Sequence, residues 1–190
     1  MYKKLLIIGA GGHGQCCQEI ALDMKMFSQI NFLDDHPNDK VNVIGTIDEM
    51  SSYYPEYENI FIAIGNNTLR CRLMNQAEQI GYSLVSLISP YSFVSKSAII
   101  EKGSVVFPHA VIQSNTLLKQ GAILSSNALV DHDAIIGKYC HINGGAIIPS
   151  LSHVKDFTKV NYGEVYKTFE EDKEWKEKYK QDFGREPSFF

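Results

Sequence analysis

From Val94 onward an aliphatic residue returns at every sixth position: Val94, Ile100, Val106, Ile112, Leu118, Leu124, Val130, Ile136, Ile142, Ile148, Val154 and Val160. Four places after each comes a small residue, from Ala98, Ser104, Ala110 and Thr116 through Ala122, Ala128, Ala134 and Cys140 to Ala146, Ser152 and Thr158. A period of six fits neither an α-helix at 3.6 nor a strand at 2. It fits the hexapeptide repeat of a parallel β-helix, in which each hexad forms one flat face of a coil. The aliphatic residue points to the axis and stacks on the one a coil earlier. The small residue occupies the tight corner. An ordinary β-sandwich would instead need period-two runs separated by turn clusters.

The chain before the repeat has a different pattern. Leu5-Leu6-Ile7-Ile8 is a continuous apolar run, the mark of a strand buried on both faces. It ends in Gly9-Ala10-Gly11-Gly12-His13-Gly14, and a helical pattern follows from Gln15 to about Met26. Strand, glycine turn and helix together aim backbone N–H groups at a phosphate. A second strand, Ile30 to Leu33, ends in Asp34-Asp35, about twenty residues past the turn, where a dinucleotide fold carries its ribose ligand. A third strand, Asn59 to Ile64, ends in Gly65-Asn66-Asn67, and a helix follows from about Thr68 until Gly81 stops it. Val85 to Ile88 reads as the last strand of this small α/β unit. Three strand ends converge, and ligands of open α/β sheets bind at such ends. The unit is short for NAD, and His13 is foreign to the NAD pattern. A mononucleotide or nucleotide-sugar fits the size better.

After Val160 the period stops. Thr168-Phe169-Glu170-Glu171 carries a capping-box pattern, and Trp175, Tyr179 and Phe183 recur at helical spacing before Gly184. These predict a helix over Phe169 to Phe183 that covers the open end of the solenoid. The chain thus divides into residues 1–90, 91–160 and 161–190.

Composition narrows the function. Of the 190 residues 44% are hydrophobic, enough for a real core. The net charge of −4 argues against a nucleic-acid surface. No stretch approaches the roughly 18 apolar residues of a membrane span, and the Leu5–Ile8 run is too short for a signal-peptide core. Cys16, Cys17, Cys71 and Cys140 lack metal-ligand spacing. They read as buried free thiols of a reducing cytoplasm, and no metal is expected.

Within the repeat, Val130 and Ala134 hold the inward register, so Asp131, His132 and Asp133 project elsewhere. A histidine between two carboxylates can have its tautomer fixed for general-base work on a hydroxyl or amine. His141 lies half a coil further on.

These stretches carry a resemblance. Ile8 to Gly14, Phe32-Leu33-Asp34-Asp35, Phe61 to Asn67, and Asp131-His132-Asp133 with His141 resemble, in the same order, the sugar O-/N-acyltransferases of the NeuD and PglD type. The resemblance implies a Rossmann-like domain followed by a left-handed β-helix. It implies a homotrimer, with acetyl-CoA as co-substrate in grooves between neighbouring β-helices and a UDP-sugar or related sugar in the N-terminal domain. It makes His132 the base, oriented by Asp133, and His141 a residue of the acetyl pocket. It places Gly9, Gly11, Gly12, His13 and Gly14 at the phosphates, Asp34 and Asp35 near nucleobase and ribose, and Gly65 and Asn66 at the same site.

One departure accompanies it. Family members continue with further coils and a closing Gly-Val-Pro-Ala type motif, whereas here about one and a half coils follow His132. The expected function is therefore an acyl-CoA-dependent acetyltransferase of a nucleotide-activated sugar. The alternatives are a catalytically silent trimeric nucleotide-sugar binder and, more remotely, an NAD-binding protein.

Overall fold

The chain, a computed structural model, is described for residues 3–36, 42–166, 177 and 180–185. Its first part is a five-stranded parallel sheet. The strands are β1 (Lys3–Ile8), β2 (Phe27–Leu33), β3 (Val43–Gly45), β4 (Asn59–Ile62) and β5 (Ser83–Leu84), in the spatial order β3-β2-β1-β4-β5. Helix α1 (Gly12–Asp23) packs on one face and α2 (Asn67–Ile80) on the other. Leu5, Leu6, Ile7 and Ile8 are fully buried, as a strand covered on both faces requires. The strand order reverses between β1 and β4, so the glycine turn and Gly65 emerge side by side at a topological switch point. Strand β3 and a 3₁₀ helix at Ile47–Tyr53 add to the predicted elements.

Two-residue strands follow at intervals of six: β6 (Leu87–Ile88), β7 (Phe93–Val94), β8 (Ile99–Ile100), β9 (Val105–Val106), β10 (Val111–Ile112), β11 (Leu117–Leu118), β12 (Ile123–Leu124), β13 (Leu129–Val130), β14 (Ile135–Ile136), β15 (His141–Ile142), β16 (Ile147–Ile148), β17 (His153–Val154) and β18 (Lys159–Val160). Each pairs in parallel with the strand eighteen residues away, giving three sheets around one axis. The second residue of each strand points inward. From Val106 to Val160 these residues are buried to the last few per cent, and with the corner residues Ala110, Ala122, Ala128, Ala134, Cys140 and Ala146 they form one continuous core. Each buried aliphatic side chain contributes about 1.5–3 kcal/mol.

The repeat extends one hexad beyond the aliphatic pattern at each end. Ile88 holds the inward register, and Leu87–Ile88 pairs with β9, so this strand belongs to the β-helix rather than to the α/β sheet. The α/β sheet ends at Ser83–Leu84. At the other end Val165 bridges to Ile147, and Tyr166 packs against the axial core. An aromatic ring there takes the place of the aliphatic side chain.

The outward residues of the three faces meet different surroundings. Leu87, Val105 and Ile123 are buried under α1 and the α/β sheet. Leu117 and Ile135 lie beneath Leu151 and Phe183. Phe93, Val111, Leu129, Ile147 and Val165 form the third ladder, in which Phe93 is 56% and Val165 52% exposed.

Residues 177 and 180–183 are helical, and Gly184 (φ 66°) donates its N–H to the Lys180 carbonyl at 2.8 Å, a glycine helix end. This segment lies along a flank of the prism, where Phe183 covers Leu117 and Ile135 and Lys119 pairs with Asp182 at 2.7 Å. These described residues dock on the flank, where Leu117 and Ile135 offer aliphatic side chains. The proposed cap at Thr168–Glu171, with Trp175 and Tyr179, lies outside the described residues. The cysteines are all free, but Cys16 is exposed and Cys71 half-buried. Helical geometry turns Cys16 away from the core that Cys17 enters.

Candidate active site

The site has two parts at different corners of the prism. The first follows β13. Asp133 takes the left-handed corner conformation (φ 58°). Its Oδ2 lies 2.9 Å from Nδ1 of His132, and its Oδ1 accepts from Asn115 Nδ2 at 3.2 Å and Arg185 Nη2 at 2.5 Å. Asp131 accepts the His132 backbone N–H at 2.8 Å and so orders the turn. The His132 side chain is 48% exposed. A carboxylate at Nδ1 favours the tautomer with its proton there and leaves the Nε2 lone pair for an incoming proton.

The second part is a cavity of about 390 Å³ where the α/β unit meets the β-helix, lined by Gly12, His13, Cys16, Gly65, Phe107, Ser125, Ser126, His141, Gly144 and Tyr162. Its size suits a small-molecule site. His13, on the first turn of α1, stacks on Phe107 with ring centres 5.6 Å apart, and its ring centre is 6.5 Å from that of His141. His141 Nε2 is 3.5 Å from Ser125 Oγ, and the backbone of Gly65 is another polar group that acts on this buried ring. Burial lowers the pKa of both histidines to about 4, with the Arg70 guanidinium adding to the effect. Both imidazoles are neutral at pH 7.

Arg70 is itself completely buried on α2. It donates to the carbonyls of Ile64, Gly121, Tyr139 and Cys140 and to Asn67 Oδ1, at 2.8 to 3.2 Å. One side chain thereby ties the end of β4 to two stacked corners of the β-helix. Desolvation lowers its pKa to about 10, so it stays charged at neutral pH.

The glycines of the turn divide by cause. A Cβ on Gly14 would fall 1.9 Å from the Gly9 carbonyl oxygen, and one on Gly9 (φ 95°) would meet Ile64 and Ala63. Those two let helix and strand pack closely. Gly11, Gly12 and Gly65 have nothing within 4 Å of such an atom. The chain's own packing therefore leaves open space at these three, beside the N-terminus of α1. Asp34 is buried, and its carboxylate accepts from Ala10 N at 2.7 Å and His36 N at 2.8 Å, which pins the glycine turn. Asp35 is exposed and accepts from Ile47 N at 3.0 Å. Asn66 caps α2, its Oδ1 accepting from Leu69 N at 2.9 Å.

The structure thus brings Gly12, His13, Gly65 and His141 to one cavity and keeps His132 and Asp133 at another corner. Sequence reasoning missed Arg70, Phe107, Ser125, Tyr162 and Arg185. Ser126, Gly144 and Tyr162 could have been found, since they recur at eighteen-residue intervals and must stack on one corner.

Known proteins share this fold. Residues 4–77 match the PglD N-terminal domain. The acetyltransferase domain of PglB from Neisseria gonorrhoeae, solved with acetyl coenzyme A, is 38% identical, with a TM-score of 0.82 over 86% of this chain and 81% of that one. The chain belongs to the NeuD/PglD-type sugar acyltransferase family. More distant members of the same fold include a perosamine N-acetyltransferase from Caulobacter crescentus, solved with CoA and GDP-perosamine. It is 22% identical, with a TM-score of 0.61 over 89% of this chain and 91% of that one. WeeI from Acinetobacter baumannii is 16% identical, with a TM-score of 0.60 over 83% and 96%. Among the described residues no cluster of ligands could hold a metal ion, and no helix is long and apolar enough to cross a membrane.

Proposed function

We propose that this protein is an acyl-CoA-dependent acetyltransferase acting on an amino or hydroxyl group of a nucleotide-activated sugar. Family membership supports the reaction class, and the 2.9 Å contact between His132 Nδ1 and Asp133 Oδ2 carries the assignment of the base. The acceptor nitrogen or oxygen attacks the thioester carbonyl carbon, and His132 Nε2 takes the proton it loses. The new C–N or C–O bond forms as the C–S bond breaks. The proton then passes to the departing sulfur, giving free CoA thiol. Neutral His141 can donate a hydrogen bond in the acetyl pocket. Gly11, Gly12 and Gly65 leave room for phosphates at the N-terminus of α1.

The working unit is a homotrimer. One face of the prism is covered by the α/β unit and a second in part by Leu151 and Phe183, and the third presents Phe93, Val111, Leu129, Ile147 and Val165. This ladder has the Ser125–Ser126 corner of the cavity on one edge and the His132 corner on the other. Packing prisms through it would direct His132 of one subunit toward the cavity of the next and form the acyl-donor groove between them.

The test is release of free thiol from acetyl-CoA with a panel of UDP-amino-sugars, with light scattering for the oligomer. Turnover that disappears in His132→Ala supports the reading. Binding of a UDP-sugar without any CoA binding at millimolar concentration would leave a silent nucleotide-sugar binder. Tight NADH binding with no UDP compound bound would overturn the nucleotide site.

A further inference from the structure

We infer that Arg185, delivered by the C-terminal segment, is a positioning residue for the His132–Asp133 pair. The inference rests on His132 being the base. Asp133 has one oxygen for His132 and one for anchoring. Oδ2 meets Nδ1 of His132, while Oδ1 receives Arg185 Nη2 at 2.5 Å and Asn115 Nδ2 at 3.2 Å. A carboxylate bonded through a single oxygen can rotate and offer either oxygen to the imidazole, or neither. Two donors on Oδ1 fix its plane, and the one from Arg185 is charged.

The arginine is brought there by a built attachment. Phe183 sits on Leu117 and Ile135, on the face adjoining the His132 corner. Lys119 pairs with Asp182 at 2.7 Å, with side-chain exposures of only 10% and 20%. Gly184 then ends the helix in the left-handed conformation (φ 66°) and turns the chain so that Arg185 reaches Asp133. Among the described residues Asp131, which holds the His132 backbone N–H, also carries charge at this corner. The segment therefore acts as a strap from a flank of the prism to the carboxylate behind the base.

The consequence is a fixed tautomer. With Asp133 held, Nδ1 carries the proton and Nε2 is the acceptor. When Arg185 is removed the carboxylate turns, and the imidazole populates the other tautomer, which presents an N–H instead of a lone pair to the substrate.

The experiment uses full-length protein labelled with ¹⁵N-histidine. In wild type the His132 nitrogens should show a single Nδ1–H tautomer. In Arg185→Gln the signature should move toward a mixture, and kcat should fall about tenfold with little change in KM for either substrate, the pattern of a group that acts only on the transition state. Arg185→Lys should recover most of both. Phe183→Ala, at the flank contact with Leu117 and Ile135, should reproduce the Arg185→Gln signature by loosening the strap. An unchanged His132 signature in Arg185→Gln overturns the inference whatever the activity. Full turnover in His132→Ala would instead overturn the base assignment, and the spectroscopic result would still decide whether Arg185 orients the imidazole.

Discussion

His132 and the pair His13 and His141 occupy opposite environments within one chain. His132 stands half-exposed at a solenoid corner with a carboxylate on Nδ1. His13 and His141 are withdrawn from water beside a buried guanidinium, and their pKa values lie near 4. A base must accept a proton and then give it up, and a carboxylate partner stabilises the intervening cation. A desolvated imidazole beside a cation resists protonation, so it serves as a neutral hydrogen-bonding and stacking surface. Charge and burial at each position, not residue type, separate the two environments.

The comparison breaks most readily at His132. Replacing it with alanine should lower kcat about 10²–10⁴-fold with little change in substrate affinity. Replacing His141 with asparagine should cost less in kcat, and equal losses would mean that both imidazoles move protons.

Arg70 tests the other side. Arg70→Met removes every donor to the Ile64, Gly121, Tyr139 and Cys140 carbonyls at once and should cost about 2–4 kcal/mol, read from urea unfolding. A loss under about 0.5 kcal/mol, the size of an ordinary surface substitution, would show that the two domains are not tied through it.

A third measurement is the pH dependence of stability. His13 and His141 have folded pKa values of about 4 against an ordinary 6.5. Protons therefore bind the unfolded chain first, and stability present above pH 6.5 is lost as pH falls toward 4. Each histidine should account for about 1–2 kcal/mol between pH 7 and pH 5. His13→Asn and His141→Asn should each flatten the curve. Arg70→Met should flatten it only in part, since burial is the larger cause.

The smallest effect is expected at Gly12. With open space around its α-carbon, Gly12→Ala should change stability by less than about 1 kcal/mol. It should still weaken nucleotide-sugar binding in calorimetry. Gly14→Ala would strike the Gly9 carbonyl and is the unfolding control.

Much of the fold could be read from residue spacing. The hexads stand out because every axial side chain fills the same space above its predecessor, so composition is forced at each sixth position. The reading failed at the ends, where Tyr166 replaces an aliphatic residue and Ile88 lies behind the turn at Ser89–Pro90. Strand β3 and the 3₁₀ helix are too short to leave a period. At the candidate site, His132 stood out because carboxylates flank it on both sides, but that Asp133 meets its ring and Asp131 its backbone N–H came only with the folded turn. Arg70 was not, since on the sequence it resembles any polar residue of an amphipathic helix. Arg185 sits past a glycine stop and gives no sign of a partner.

The sequence by itself determined the β-helix and the order of its corners. Both follow from local geometry repeated along the chain. Only the tertiary structure decided that His13 faces His141, that Arg70 is buried, and that Phe183 docks on Leu117 and Ile135. A periodic prism offers nearly equivalent faces at every coil, so its repeat cannot say where another segment will settle. That choice belongs to the few outward side chains, such as Leu87, Val105 and Ile123 under α1, whose fit to a distant surface is set by long-range packing.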